Sequence, residues 1–401
     1  MSGIACSFGH YARAGTRAVP TSQRSELFGN QNVTPCNEDL VTFSENICEV
    51  LTTVCDRRSV HAYFDGGNDL DLTLWDRATE LGWLGIGVSE EFGGLGLGPR
   101  GLDVLFRSLG QNVSPGPFCS TLVGAQWLSE CTALDVAKQF VSAVVAGTLS
   151  LGIPVAPGGV SMKMQGGRIT GESETLLIHP RTRLSILPVN NEGEAGFALV
   201  PVGAGDADLA RIELWDRTNS IGRVKCRNVA PAAVIPDPRG RAVDLLRCYL
   251  ALAVASDSVG GARAIADQTV AYLKLREQFG RPLASLQALK HRAADLYVAI
   301  VKAEQVLECA IDAADGDVAS AGMWAALAKA AASEAYLSVA DDCMQLHGGV
   351  GFTWEFDCHI YLKRALLNRQ LAGDNRALRD LAAGQLTEAT LAGITTAEFA
   401  A

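Results

Sequence analysis

The stretch GGRITGESETLLIHPRTRLSILPVNNEGEAGFALVPV, residues 166–202, decides the fold. Short apolar runs alternate with Gly, Pro and Asn at a spacing of about ten residues, the pattern of strands joined by tight turns. LSLGIPV (149–155) precedes it and VIPDP (234–238) follows it with the same texture. Pro157-Gly158-Gly159 and Asn190-Asn191 are turn signals. The spacing predicts a small antiparallel β domain over 148–238.

On both sides the period changes to that of a helix. Upstream, DLTLWDRATELGWLGI (71–86) places Leu74, Ala78, Leu81 and Leu84 on one face. Asn37, followed by Glu38 and Asp39, suits a helix start, with a capping side chain and negative charge at the positive dipole end. Downstream, Val243, Leu246, Leu250, Ala253 and Asp257 share a stripe. Ala-rich segments over about 284–313 and 320–345 favour a bundle. The expected organisation is an N-terminal extension (1–36), a helical domain (37–147), the β domain (148–238), a helical bundle (239–388) and a weakly ordered tail (389–401). The fold class is mainly α with a central β domain.

Composition narrows the function. The 401 residues carry a net charge of −10 and no long Lys/Arg block, which argues against nucleic acid or an anionic membrane as main partner. No run of about 18 apolar residues marks a membrane span. Eleven scattered cysteines without a C-x-x-C pair read as reduced thiols of a cytosolic protein. Residues 1–36 hold Arg13, Arg17 and Arg24 and no acid before Glu26. That pattern reads as a disordered extension or a start placed too far upstream, with an organelle transit peptide as the alternative.

Among motifs, Gly96, Gly98 and Gly101 spell G-x-G-x-x-G, yet they lie between helices without the βαβ setting a dinucleotide fold needs, so a flexible connection is expected. The six histidines show no ligand spacing, so no metal is expected. No G-x-S-x-G supports nucleophilic hydrolysis. Two strings stand apart: Arg276-Glu277-Gln278-Phe279-Gly280-Arg281-Pro282, and Gln345 to Glu355 (QLHGGVGFTWE). Each sets an amide, a charge and an aromatic at a helix end beside glycines. That suits a flat polar ligand approached by backbone, or simply a capped helix on a turn.

Those strings resemble the acyl-CoA dehydrogenase family, as do LGWLGIGVSEEFGGLGLG (81–98), SPGPF (114–118), LREQFGRPLASLQALKHRAADL (275–296) and QLHGGVGFTWEFDCHIYLKRA (345–365). The resemblance covers about 38–375 in the family's order of helices, β barrel or sandwich, and four-helix bundle. It implies FAD, an acyl-CoA or related thioester, and an electron-transfer flavoprotein as acceptor. The implied reaction removes an α-proton with a carboxylate and passes the β-hydrogen as hydride to the flavin. Arg276, Gln278 and Phe279 match the R-x-x-F-G that meets a neighbouring subunit's FAD. Gln287 matches the amide that follows, and Gln345, Gly348 and Gly349 match the Q-x-x-G-G at the adenosine end.

The match fails elsewhere. Leu151-Gly152-Ile153-Pro154 stands where the family has a T-E-P string that holds the isoalloxazine, and Thr175 to Pro180 (TLLIHP) lacks its flavin-facing aromatic. The base falls on Ala372 by one branch's alignment and on Leu250 by another's. Asp257, Glu355 and Asp374 are the substitute acids, with a structural role for Asp257 and Glu355 as the alternative. Retained bridging motifs beside a lost base resemble the second subunit of unlike-subunit members, which completes a partner's FAD site. The rivals are an active homo-oligomer with a relocated acid, a non-redox lyase or cyclase on the same fold, and a pure scaffold subunit.

Overall fold

The computed structural model describes residues 37–159, 162–203, 205–316 and 318–393. The expectations for residues 1–36 and for most of the tail lie outside them. Among the described residues six α-helices come first: α1 (Asn37–Val54), α2 (Arg57–Phe64), α3 (Leu70–Glu80), α4 (Gly98–Gln111), α5 (Phe118–Cys131) and α6 (Leu134–Val145). Nine strands follow: β1 (Ser150–Pro154), β2 (Met162–Gln165), β3 (Arg168–Glu172), β4 (Leu176–Ile178), β5 (Thr182–Asn191), β6 (Glu194–Pro201), β7 (Ala207–Ile212), β8 (Ser220–Val229) and β9 (Ala233–Pro236). The chain then returns to helix with α7 (Arg241–Leu275), a two-stranded hairpin of β10 (Glu277–Gln278) and β11 (Arg281–Pro282), α8 (Gln287–Gly316), α9 (Val318–His347), α10 (Cys358–Gln370) and α11 (Asn375–Leu391). Mainly α with a central β domain is the observed class, and α11 runs into the stretch expected to be a tail.

The β domain is not purely antiparallel. Strand β5 pairs in parallel with β1 through residues 182–185 and with β2 through residues 189–191. Its other edge takes β6, from Leu184↔Pro201 to Asn191↔Glu194. The ten-residue length of β5 is what lets two strands share one edge, so the path β1-β4-β8-β3-β2-β5 closes on β1 as a barrel. The β5–β6 turn is Glu192-Gly193, both at positive φ, which matches the twist of a two-residue hairpin. Asn190 Oδ1 accepts the Gly193 N–H at 2.8 Å.

Period-two alternation splits the sheet between two cores. Leu187, Val189, Ala198 and Val200 point into the barrel with Met162, Ile169 and Val224. Leu184, Ile186, Phe197 and Leu199 face the helices. That larger core runs through α7, buried along most of its length. Two glycines set how closely α4 and α7 cross. A Cβ on Gly110 would sit 2.1 Å from the Asp257 carbonyl oxygen, and one on Gly260 would sit 2.0 Å from that of Arg107.

The Gly96–Gly101 stretch is not a flexible connection: Gly96 lies in a tied loop, and Gly98 and Gly101 belong to the first turn of α4. Backbone N–H groups of Leu95, Gly96 and Leu97 donate to the carbonyls of Gly85, Val88 and Ile86.

Gly260→Ala forces α4 and α7 apart and is expected to cost about 1–3 kcal/mol, as overpacking does. Gly384→Ala, in an exposed turn of α11 with open space at the Cβ, is expected to stabilise by up to about 1 kcal/mol. Urea unfolding of the two variants checks the contrast.

Candidate functional site

Asp257 lies in the apolar heart of α7 and is 5% exposed. Arg364 of α10 grips it with both arms, Nε on Oδ1 at 3.0 Å and Nη2 on Oδ2 at 2.6 Å. Asn368, one turn on, donates Nδ2–H to the same Oδ1 at 2.7 Å. The Arg364 Nη1 donates to Thr218 Oγ1 at 2.7 Å, and Asp216 stands 3.7 Å away. Burial works against the guanidinium charge, but Asp257 outweighs it, so its pKa is raised and it stays protonated. Asp257 is thus placed as the counter-ion of a buried arginine, with three donors on its two oxygens. A carboxylate so engaged is ill placed to take a proton from a substrate. A cavity of about 20 Å³ adjoins the pair, walled by Phe106, Leu109, Phe118, Val254 and Leu371.

The other two acids sit apart from it. Asp374 is the N-cap of α11; its Oδ1 accepts from the backbone N–H of Arg376 at 2.9 Å and Ala377 at 3.2 Å, and these bonds hold it below the usual carboxylate range. Glu355 is exposed on the loop before α10.

Ala372 and Leu250, where the resemblance puts the base, are both buried. Ala372 takes φ +60°, and its N–H donates to the Val155 carbonyl, just past β1, at 2.8 Å. The N–H of Val155 donates to Thr175 at 2.9 Å. The loop after α10 is therefore closed by a direct backbone bond onto the end of β1, the segment that replaces T-E-P. His179 of TLLIHP shares a hydrogen bond of 2.8 Å with Asp71 of α3. Burial works to raise the Asp71 carboxyl, and His179 outweighs it, leaving the group below its ordinary range.

The two motifs expected to reach a neighbouring subunit are the opposite case. Arg276 caps α7 at the base of the β10–β11 hairpin that carries Gln278 and Phe279, and all three are exposed. Phe279 is 87% exposed and held at φ +57°. Gln345, Gly348 and Gly349 are exposed at the end of α9, with open space at both glycines. The two motifs meet where Tyr272 of α7 stacks on His347 of α9, centroids 4.3 Å apart. Gln287 opens α8, exposed and bonded to His291 at 2.9 Å.

Three features escaped the reading of the sequence. Lys329 of α9 is fully buried, and its ammonium donates to the carbonyls of Arg369 and Gly373 and to Asn375 Oδ1, at 2.9, 2.6 and 2.8 Å. Burial pulls its pKa down to about 8. A lone Lys in an Ala-rich helical run, with Ser333 one turn on, was the available signal. Arg364 and Asn368 share an i,i+4 face of α10, and partners distant in sequence, Asp257 above all, explain them. Glu174, before β4, is pushed up to about 7 by burial, with Arg247 opposing. Its Oε2 would stand 3.0 Å from a Cβ on Gly159.

Among the described residues, no group of three or more His, Cys, Asp or Glu could hold a metal ion, and no helix is long and apolar enough to cross a membrane.

Residues 37–148 match the model described as acyl-CoA dehydrogenase, N-terminal domain, and residues 249–387 the one described as acyl-CoA dehydrogenase, C-terminal domain. The chain is 29% identical over 343 residues to the acyl-CoA dehydrogenase IpdE2 of Mycobacterium tuberculosis, covering 83% of this chain and 93% of that one. It is 29% identical over 347 residues to the acyl-CoA dehydrogenase FadE34 of the same organism, covering 85% of this chain but 45% of that one, so it spans about half of that relative. The structure described as a Tcur3481–Tcur3483 steroid ACAD has a TM-score of 0.79 at 26% identity, covering 88% of this chain and 99% of that one. The ChsE4–ChsE5 complex of Mycobacterium tuberculosis shares the fold, with a TM-score of 0.79 at 21% identity, covering 88% and 98%.

Asp257→Asn leaves the buried Arg364 charge with only the more distant Asp216 opposite it and is expected to lower stability by up to about 3–5 kcal/mol. The double variant Asp257→Leu with Arg364→Met, which removes both charges, recovers most of that loss. Chemical unfolding of both variants tests this; equal losses would mean the pair is not the source.

Proposed function

The chain belongs to the acyl-CoA dehydrogenase family, whose members are FAD-dependent oxidoreductases, and from that premise we propose that it serves α,β-dehydrogenation of an acyl-CoA thioester as the subunit that completes a partner's FAD site. One observation carries the reading: the two halves of the site are treated oppositely. The half that would hold this chain's own isoalloxazine and base is closed by the Ala372–Val155 bond, with an alanine, a buried leucine and a salt-bridged aspartate at the positions open to an acid. The half that reaches a neighbour is displayed, with Phe279 in solvent at a backbone angle that favours glycine.

The residues were weighed against FAD on the same grounds. The exposed Arg276, Gln278, Phe279 and Gln345, with the unobstructed Gly348 and Gly349, fit a planar, anionic group offered by a partner: a cation, amides, a ring and approachable backbone. The β1 side does not fit one of its own, since Leu151 to Pro154 are buried strand residues without a side-chain donor. When bound, the flavin would accept the hydride. The cavity of about 20 Å³ under Leu371 has room for about one water-sized group; on this reading the partner houses the acyl chain. The name of the steroid ACAD relative joins two proteins and supports an unlike partner and a bulky acyl group. An electron-transfer flavoprotein would take the electrons from the assembled pair.

A second reading, an active dehydrogenase with a relocated acid, is favoured by Glu174. Its carboxyl, at about 7, is tuned as a general base should be. It adjoins Thr175, which bonds the same Val155 that holds Ala372.

FAD measured by absorbance separates the two. On the proposed reading the chain purified alone is colourless, and the complex with a co-expressed family member carries one FAD per pair. Arg276→Ala or Phe279→Ala then lowers FAD occupancy of the complex by about tenfold, the loss of one charge-assisted or stacking contact. One FAD per chain in the protein alone, with turnover abolished by Glu174→Gln and FAD retained, would instead establish the second reading.

A further inference from the structure

The Gly348–Phe352 turn is fixed at its two ends; between them Gly351 is buried against Met344, while Gly348, Gly349 and Phe352 are exposed. Upstream, His347 stacks on Tyr272 and its Nδ1–H donates to the Cys343 carbonyl at 2.8 Å. Between the ends, Gly348 takes φ +65° and Phe352 is 64% exposed. Downstream, Trp354 sits in a seat of rings. His359 of α10 lies 4.4 Å from it, His61 of α2 5.6 Å and Phe64 of α2 6.5 Å, centroid to centroid, and the Lys363 ammonium stands 5.1 Å above the Trp354 ring. His61 and Arg57 both hold Asp357, at 2.7 and 2.8 Å, tying α2 to the same loop.

One atom of this seat is out of balance. His359 Nδ1–H donates to the Phe356 carbonyl at 2.8 Å, which fixes the tautomer and leaves Nε2 as a bare acceptor. That Nε2 is buried without a hydrogen-bond partner. A lone pair in that position is a proton acceptor in waiting, but the new charge would face cations. Lys363 lies one turn on, and the His61 ring lies 6.0 Å away.

We propose that His359 is a positioning residue with a proton-controlled action: neutral, it seats Trp354 and holds the glycine turn in place; protonated at Nε2, it unseats Trp354 and releases the turn. The groups facing it from each packed element are His61 on α2, Asp357 on the loop and Lys363 on α10, with Arg57 reached through Asp357. Arg217 and Asp216 lie behind Lys363, and His347 closes the upstream end. Asp357 is already bonded to Arg57 and His61, so it offers little to a further donor. Burial, then Lys363 and His61, hold the His359 pKa below the ordinary imidazole value. The sign follows. The native state takes its proton later than the unfolded chain does, so the seat is intact at neutral pH and weakens as pH falls below the unfolded value. The consequence for a partner's flavin rests on the proposed function; the switch itself does not.

Hydrogen–deuterium exchange on the full chain tests it, with labelling times scaled to the intrinsic rate from about pH 8 to about pH 5. Peptides spanning 346–358 should lose protection by up to about tenfold per pH unit below the unfolded imidazole value, until the seated His359 itself takes a proton, while α7 stays protected. His359→Gln, which keeps a donor for Phe356 but cannot be charged, should flatten the profile. Trp354→Ala should expose the turn at every pH. The inference is overturned if protection in the wild type is level across the range, or if His359→Gln falls in step with it. Because the readout needs neither flavin nor partner, a colourless protein or a failed complex would leave the result unaffected. In the assembled complex, FAD retention should fall on acidification in the wild type and hold in His359→Gln. Parallel loss in both would overturn the link to flavin.

Discussion

The Asp257–Arg364 pair is the contact on which the arrangement of the three regions depends. Arg364 stands on α10, Asp257 on α7, and Thr218 and Asp216 on the connection between β7 and β8. Taking both charges out of water costs several kcal/mol per ion, and mutual attraction repays that only where geometry and additional hydrogen bonds are good. Here the geometry is bidentate and Asn368 and Thr218 complete the set. A hydrophobic pair of like volume would hold these elements with comparable strength. It would not hold them in one register, because an apolar contact tolerates sliding that a two-pronged ion pair does not.

Lys329 extends the same logic to the other side of α10. Its ammonium takes two carbonyls and the Asn375 side chain at the junction with α11. The loop between is thus fixed by one buried cation before it and another behind it. That explains how Ala372 can stay at φ +60°, a conformation that costs of order 1–3 kcal/mol and persists only where the surroundings impose it. The strain persists because the Val155 bond and the lysine contacts over-determine the position.

The parts of this design differ in how well a sequence can display them. Period two in β5 and β6 assigns each residue to a face, and the observed split between barrel core and helical core follows it residue by residue. The helices of the bundle are readable for the same local reason, as are the turn residues beside Gly193. Strand partners are not local. Nothing in LSLGIPV says that β1 lies parallel to β5, since that pairing is set by the length of β5 and by barrel closure. The buried ions are hidden in the same way: Asp257 reads as a lone acid on an apolar stripe, and its arginine is 107 residues away. A stripe with one acid predicts either a base or a counter-ion, and only the partner distinguishes them. The two exposed motifs were legible because they are contiguous and chemically dense.

Exposure of those motifs has a thermodynamic meaning of its own. A phenylalanine left in water forgoes about 1.5–3 kcal/mol of burial, and Phe279 does so at a positive φ next to Leu275, itself 83% exposed. A monomer gains nothing from that arrangement. The hairpin that carries Phe279 is two residues per strand, too short to be stable on its own side chains, so its shape is imposed by α7 and by the Leu283–Arg276 bond at its base. Rigid presentation of an uncovered aromatic beside Arg276 and Gln278 lowers the ordering cost of docking, because the contact surface already has its bound form. The same chain closes its other half with backbone bonds and buried ions. One end is therefore built to be complete without a ligand and the other to be incomplete without a neighbour, a division of labour that a self-sufficient active site would not require.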